Sequence, residues 1–279
     1  MPHRIAYMPV NTYPEAAEDA AILAAVGFAS ALGCGLHVTT FAVDVPKTAS
    51  PVGGLLINVE AMAAAVEERS KTECARLQSL VITGAARPGP AVVVNARTVV
   101  LGAALDAATT DARTHDLALL PWDGETVSAQ DMAQALVFDA GVPVILVPSS
   151  ATTRPVDHIA IAWDGSRVAA RALCDALPLL SAGGKISVLT VVGEKSLQGA
   201  ALAQTLVTSL EQRGYRAKAL TLPLGGRPIA TALQEAALSE GAQMMAMGGF
   251  GHSRLRDFIL GGATQGVFGD LRLPVLLAH

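Results

Sequence analysis

The residues best suited to chemistry lie in one glycine-rich stretch, Met247-Gly248-Gly249-Phe250-Gly251-His252-Ser253-Arg254, which continues to Gly261-Gly262-Ala263-Thr264. It leaves a short apolar run and enters a segment whose inward residues are expected to be Val267, Phe268 and Leu271. Glycine has no Cβ, so main-chain N–H groups here can approach a phosphate closely. Successive N–H groups form an anion nest, and a helix beginning at Gly261 and Gly262 would add its favourable dipole. A second reading stays open, because turns between a strand and a helix often contain glycine for purely conformational reasons. The spacing is neither GxxxxGK[ST] nor a GxGxxG following the first strand, which excludes a P-loop and an ordinary dinucleotide fold.

Other chemistries find little support. No HExxH, GxSxG or regularly spaced carboxylate pair is present, so no general base paired with a nucleophile is visible. Cys34, Cys74 and Cys174 are isolated from one another, without CxxC or His/Cys clusters. A structural zinc site is therefore not expected. The three are read as small buried residues of a protein in the reducing cytoplasm. The net charge of −4 and the lack of a Lys/Arg run give no general attraction to nucleic acid. The uncharged stretch Ala20 to Leu36 is rich in Ala and is broken at Gly33-Cys34-Gly35. Acidic rather than basic residues precede it, so it is read as a core helix, a turn and a strand rather than a membrane span or signal peptide.

The elements that position the glycine stretch follow from an internal repeat. Hydrophobic residues make up 51% of the 279 residues and charged ones 16%, ample for buried cores. Arg4-Ile5-Ala6-Tyr7-Met8 parallels His158-Ile159-Ala160-Ile161-Ala162, and Val142-Pro143-Val144-Ile145-Leu146 parallels Leu273-Pro274-Val275-Leu276-Leu277. Each half reads as five strands alternating with helices. In the second half the strands are expected near Ile159–Ala162, Ile186–Val192, Ala217–Leu222, Met244–Met247 and Val275–Leu277. In the first they are expected near Ile5–Met8, Leu36–Val43, Val92–Val94, Leu117–Leu120 and Val144–Val147, with a long helix from Asn58 to about Leu80. Continuous apolar runs of this kind suit parallel strands buried on both faces. Leu202, Leu206 and Leu210, and then Ile229, Leu233 and Ala236, recur at helical spacing, with Gly214 as a helix stop. The polar stretch from Pro148 to Pro155 is the expected linker, separating domains 1–148 and 156–279 with residues 149–155 between them.

Gly248, two residues, Gly251, nine residues and Gly261 together resemble the nucleotide-binding signature of the universal stress protein family. Ile159-Ala160-Ile161-Ala162-Trp163-Asp164-Gly165-Ser166 is similar to that family's opening strand and its Asp-Gly-Ser turn. The resemblance spans the second half and, more weakly, the first. It implies an α/β fold of two tandem open five-stranded parallel sheets, each in strand order 3-2-1-4-5, of the adenine-nucleotide α-hydrolase-like, Rossmann-like type. Strands 1 and 4 then flank a switch point, where open α/β sheets bind ligands. By resemblance Asp164 contacts the adenosine part, and the backbone of Val191 reads the adenine edge. Gly248, Gly251, Gly261 and Gly262 line the phosphates, and His252, Ser253 and Thr264 add side-chain hydrogen bonds. Ala162, Met247 and Ala263 complete the candidate set. Competing structural roles stand beside these: a helix N-cap for Asp164, simple core for Val191, and a solvated loop for His252.

The implied ligand is ATP or another adenine nucleotide, with Mg2+ as an accompanying ion. Gly262 stands where nucleotide-binding members carry Ser or Thr, which removes one hydroxyl contact and weakens the expected affinity. The first half departs further, with Pro121 in the place of Gly248, acidic Asp123 and Glu125 beside it, and Val10 in the place of Asp164. It is expected to bind no nucleotide and to serve as a packing partner. Members of the family pair through the last strand, which implies an intrachain pseudo-dimer and allows a homodimer. A scaffold without ligand is the alternative reading. An enzyme of the wider nucleotide α-hydrolase group is disfavoured because HIGH and SGGxDS signatures are lacking.

Overall fold

The computed structural model describes residues 3–46, 59–85, 89–124, 126–192, 197–249 and 262–279. In the first half the order is β1 (Ile5–Asn11), α1 (Asp19–Ala31), β2 (Gly35–Asp44), α2 (Val59–Gly84), β3 (Val92–Val100), α3 (Ala104–Ala112), β4 (Leu117–Trp122), α4 (Val127–Asp139) and β5 (Val144–Pro148). The second half repeats it with β6 (His158–Ala162), α5 (Arg167–Ala176), β7 (Lys185–Val192), α6 (Leu197–Gln212), β8 (Arg216–Pro223), α7 (Ile229–Ser239), β9 (Met244–Gly248), α8 (Gly262–Gly269) and β10 (Val275–Ala278). Ala20 to Leu36 forms a helix, a turn through Gly33 at φ +66° and the start of a strand. Among the described residues no helix is long and apolar enough to cross a membrane.

The strand order is β3-β2-β1-β4-β5-β10-β9-β6-β7-β8, so each half has the 3-2-1-4-5 order. The two five-stranded sheets expected are joined through their last strands, so all ten strands form one larger sheet. Every pairing is parallel except β5 with β10, which run antiparallel with Val275 opposite Leu146 and Leu277 opposite Val144. Both strands are buried along their whole length. Left unpaired, each would offer a row of unsatisfied N–H and C=O groups at an apolar edge, and pairing satisfies both rows at once.

Helices cover both faces of this sheet. One core cluster joins Ala6, Met8, Ile159 and Ile161 to buried residues of α1, α2, α5 and α6. The other joins Tyr7 and Ala160 to residues of α3, α4, α7 and α8. Each cluster runs through both halves, so the joint at β5 and β10 lies within a continuous core.

Some expectations from residue pattern need correction. Cys34 and Cys74 are buried, but Cys174 is exposed. Leu202 is 47% and Ile229 41% exposed, although Leu206, Leu210 and Leu233 are in the core. β3 is much longer than Val92–Val94, because as an edge strand it carries Asn95, Arg97 and Thr98 with little burial.

Candidate functional site

The candidate residues come together through strand register. β6 and β9 are parallel neighbours, with Ile159 opposite Met244 and Ile161 opposite Ala246. Ala162 and Met247 follow side by side at the carboxyl ends, and Asp164 and Gly248 continue from the same end of the sheet. This is the switch point of the second half, where the order reverses between β6 and β9.

The turn after β6 is built by its own side chains. The Asp164 carboxylate accepts the Ser166 N–H at 2.9 Å, and Ser166 Oγ accepts the Ala169 N–H at 3.2 Å. Ser166 is therefore the N-cap of α5, and Asp164 closes the turn before it instead of capping the helix. Gly165 sits at φ +76°, a conformation that L side chains rarely adopt. The Asp164 side chain is exposed. Trp163 fixes the other flank: its N–H donates to the Leu189 carbonyl at 2.8 Å and its carbonyl accepts Thr190 Oγ1 at 2.9 Å. The Trp163 indole N–H is buried without a hydrogen-bond partner among the described residues. In the sequence Trp163 figured only within the opening-strand motif, and Thr190 only within the expected strand Ile186–Val192.

Gly248 has a packing role that its sequence context did not reveal. A Cβ there would lie 2.5 Å from Val168 Cγ2 and 2.8 Å from Ala169 N. The end of β9 thus lies directly against the first turn of α5. Beyond it, the Gly249 N–H donates to the Ala278 carbonyl at 2.8 Å. Gly262 opens α8 with nothing within 4 Å of its missing Cβ. Ala263 is half-buried and Thr264 only 3% exposed, packed under the first turn of the helix. Val191 is half-buried against the core cluster beneath α7, so its side chain has the structural role of core. Its backbone lies two residues beyond Leu189, the partner of Ala162. Gly251, His252, Ser253 and Gly261 lie outside the described residues.

The corresponding position of the first half is lined by different residues. Ala6 pairs with Leu117 as Ile159 pairs with Met244, and Leu117 and Met244 share one core cluster. This register sets Asn11, not Val10, in the place of Asp164, while Val10 points into the core. Pro121 takes the place of Gly248. Asn11 Nδ2 donates to Ser128 Oγ at 3.1 Å, and the Asp123 carboxylate accepts the Glu18 N–H at 2.6 Å. A hollow of only about 40 Å³ remains between them. That volume corresponds to a few water molecules.

The architecture is that of an α/β protein with a mostly parallel sheet whose strand order reverses at a switch point in each half. Residues 155–279 match the profile of the universal stress protein family. The chain as a whole is similar to a universal stress protein from Archaeoglobus fulgidus DSM 4304, at 16% identity and TM-score 0.72 over 98% of this chain and 95% of that one. It also resembles a putative universal stress protein from Pseudomonas aeruginosa UCBPP-PA14, at 16% identity and TM-score 0.53 over 99% and 93% of the two chains. A universal stress protein in complex with cAMP aligns over 53% of this chain and 99% of its own, at 18% identity and TM-score 0.26. No curated protein matches the chain.

Proposed function

We propose that residues 156–279 bind ATP or another adenine nucleotide in the crevice between β6 and β9, as the ligand-binding half of a non-enzymatic stress-response protein. The observation that carries this reading is the convergence of the Asp164-Gly165-Ser166 turn and Gly248 on one end of the sheet at its switch point. Two motifs distant in sequence share one crevice, as a ligand site requires and unrelated turns do not. The Asp164 carboxylate is exposed at the edge of that crevice, and the glycine stretch after Gly248 would supply N–H donors to phosphates. With Gly262 where the family carries Ser or Thr, one contact is missing. Mg2+ accompanying the nucleotide would offset part of the phosphate charge.

Residues 1–148 act as the packing partner, and 149–155 as the linker. The antiparallel pairing of β5 with β10 supports reading the two halves as an intrachain pseudo-dimer. The small, acidic crevice of the first half supports one nucleotide per chain rather than two. The same reading places the protein in the cytoplasm without nucleic-acid or membrane partners, and allows two chains to associate as a homodimer.

Calorimetric titration with ATP, ADP and AMP, each with and without magnesium, tests this reading. About one nucleotide per chain is expected to bind, and Gly251→Val should abolish binding by setting a branched side chain among the N–H donors. A second reading, a scaffold without ligand, is favoured by one observation: the packing of Gly248 on α5 accounts for that glycine without any ligand. A folded protein with no affinity for any of the three nucleotides would establish it.

A further inference from the structure

At the amino ends of β6, β7 and β8, opposite the nucleotide crevice, three cations gather on one face of the sheet. Parallel register sets His158, Lys185 and Arg216 in one row across the three strands. Ser187 and Lys218 are paired two residues further along, and so project to the same face. His158 and Ser187 are buried and joined through Nε2 and Oγ at 2.9 Å, while Lys185, Arg216 and Lys218 are exposed around them. A hollow of about 450 Å³ opens here, with Tyr215 and Glu211 on its border. That is within the ~300–1,000 Å³ typical of small-molecule sites.

The charges around the hollow are only partly matched. Glu240, just past the end of α7, pairs with Lys218, and Arg216 donates to the Gly183 carbonyl. Lys185 forms no ion pair among the described residues. Burial first, and the nearby Lys185 second, hold His158 below the ordinary histidine range, so the floor of the hollow is a neutral donor–acceptor pair at neutral pH.

The first half serves as an internal control. The same registers set Ile5 in the place of His158, Gly35 in that of Lys185, Ala91 in that of Arg216 and Val93 in that of Lys218. The fold therefore does not require the cations. They are a property of the second half alone.

We propose that this hollow is a second small-molecule site, which takes a metabolite through a phosphate or carboxylate group held by Lys185, Arg216 and Lys218 above the buried His158–Ser187 pair. Lys185 meets the anion as a point charge, and Arg216 exchanges its carbonyl partner for an oxyanion of higher charge. The site is independent of the adenine-nucleotide reading and lies at the other end of the sheet.

The test follows the His158 ring resonances of the full chain by NMR during separate titrations with inorganic phosphate and with succinate, each against sodium chloride of equal ionic strength. A saturable shift with either anion beyond the chloride response is expected, and the tighter of the two identifies the ligand class. Lys185→Ala should weaken that binding about tenfold or more, Lys185→Arg should largely keep it, and ATP titrations should not change with either. Lys218→Gln carries the same expectation as Lys185→Ala and serves if that variant is unstable. Shifts no larger than those with chloride, or equal affinity in both charge-removing variants, would overturn the proposal.

Discussion

Asp164 carries two roles at the residue scale, and they can be separated. Its carboxylate oxygen accepts the Ser166 N–H at 2.9 Å, a bond that an asparagine oxygen can make equally well. The proposed contact to adenosine depends on the negative charge. Asp164→Asn should therefore leave the urea unfolding midpoint nearly unchanged while lowering ATP affinity. Loss of a hydrogen bond to a charged group, ~1.5–3 kcal/mol, corresponds to roughly ten- to a hundredfold. Calorimetry on the variant checks it, and unchanged affinity together with lost stability would leave Asp164 a turn residue only. Sequence shows the Asp-Gly-Ser motif plainly. It does not show that Ser166 takes the cap and Asp164 the turn, because that choice depends on which backbone N–H groups the fold leaves unpaired.

At the scale of elements, β9 and α5 meet at Gly248 with no room for a methyl group. The nearest atoms to a Cβ include the backbone N of Ala169 and the backbone C of Val168, both at 2.8 Å, so a rotamer change cannot relieve the clash. Gly248→Ala should destabilise the protein by ~1–3 kcal/mol, read from denaturant unfolding without nucleotide. Wild-type stability would mean that α5 slides easily and that the glycine is kept for another reason. The strands themselves were largely legible, since continuous apolar runs such as Met244 to Met247 mark buried parallel strands. Edge strand β8 was legible too, within one residue at each end of Ala217–Leu222, but edge strand β3 was legible only at its start. β3 has a free side, so its pattern mixes polar and apolar residues and its length is set by the neighbouring strand. The exposure of Leu202 has a similar cause: it packs over the outer turn at Gly165, with its Cδ1 3.3 Å from that glycine's missing Cβ, rather than into the core.

For the whole molecule, the joint between β5 and β10 is the decisive feature. Other contacts reinforce it across the halves: the Trp122 indole donates to the Phe268 carbonyl at 3.2 Å, with ring centroids 5.0 Å apart. A segment of residues 156–279 expressed alone would expose β10, whose Val275, Leu276 and Leu277 are fully buried in the chain. An apolar edge of this kind is a template for pairing, and antiparallel pairing of two copies is the closed arrangement. Sedimentation should therefore show a dimer for that segment, and substitution of Leu276 by Asp should disrupt it. A monomer at all concentrations would mean that the edge is not what holds the halves together.

The sequence alone determined the repeat, the alternation of strands and helices, and the presence of two motifs suited to a nucleotide, because burial and turn chemistry write themselves into residue type. Only the tertiary structure decided the antiparallel register that joins the ten strands into one sheet, and that Asn11 rather than Val10 takes the place of Asp164 in the repeat. Side chains along a strand alternate between faces, so a slip of one residue exchanges core for crevice. Strand pairing across more than a hundred residues settles that register, and no local pattern contains it.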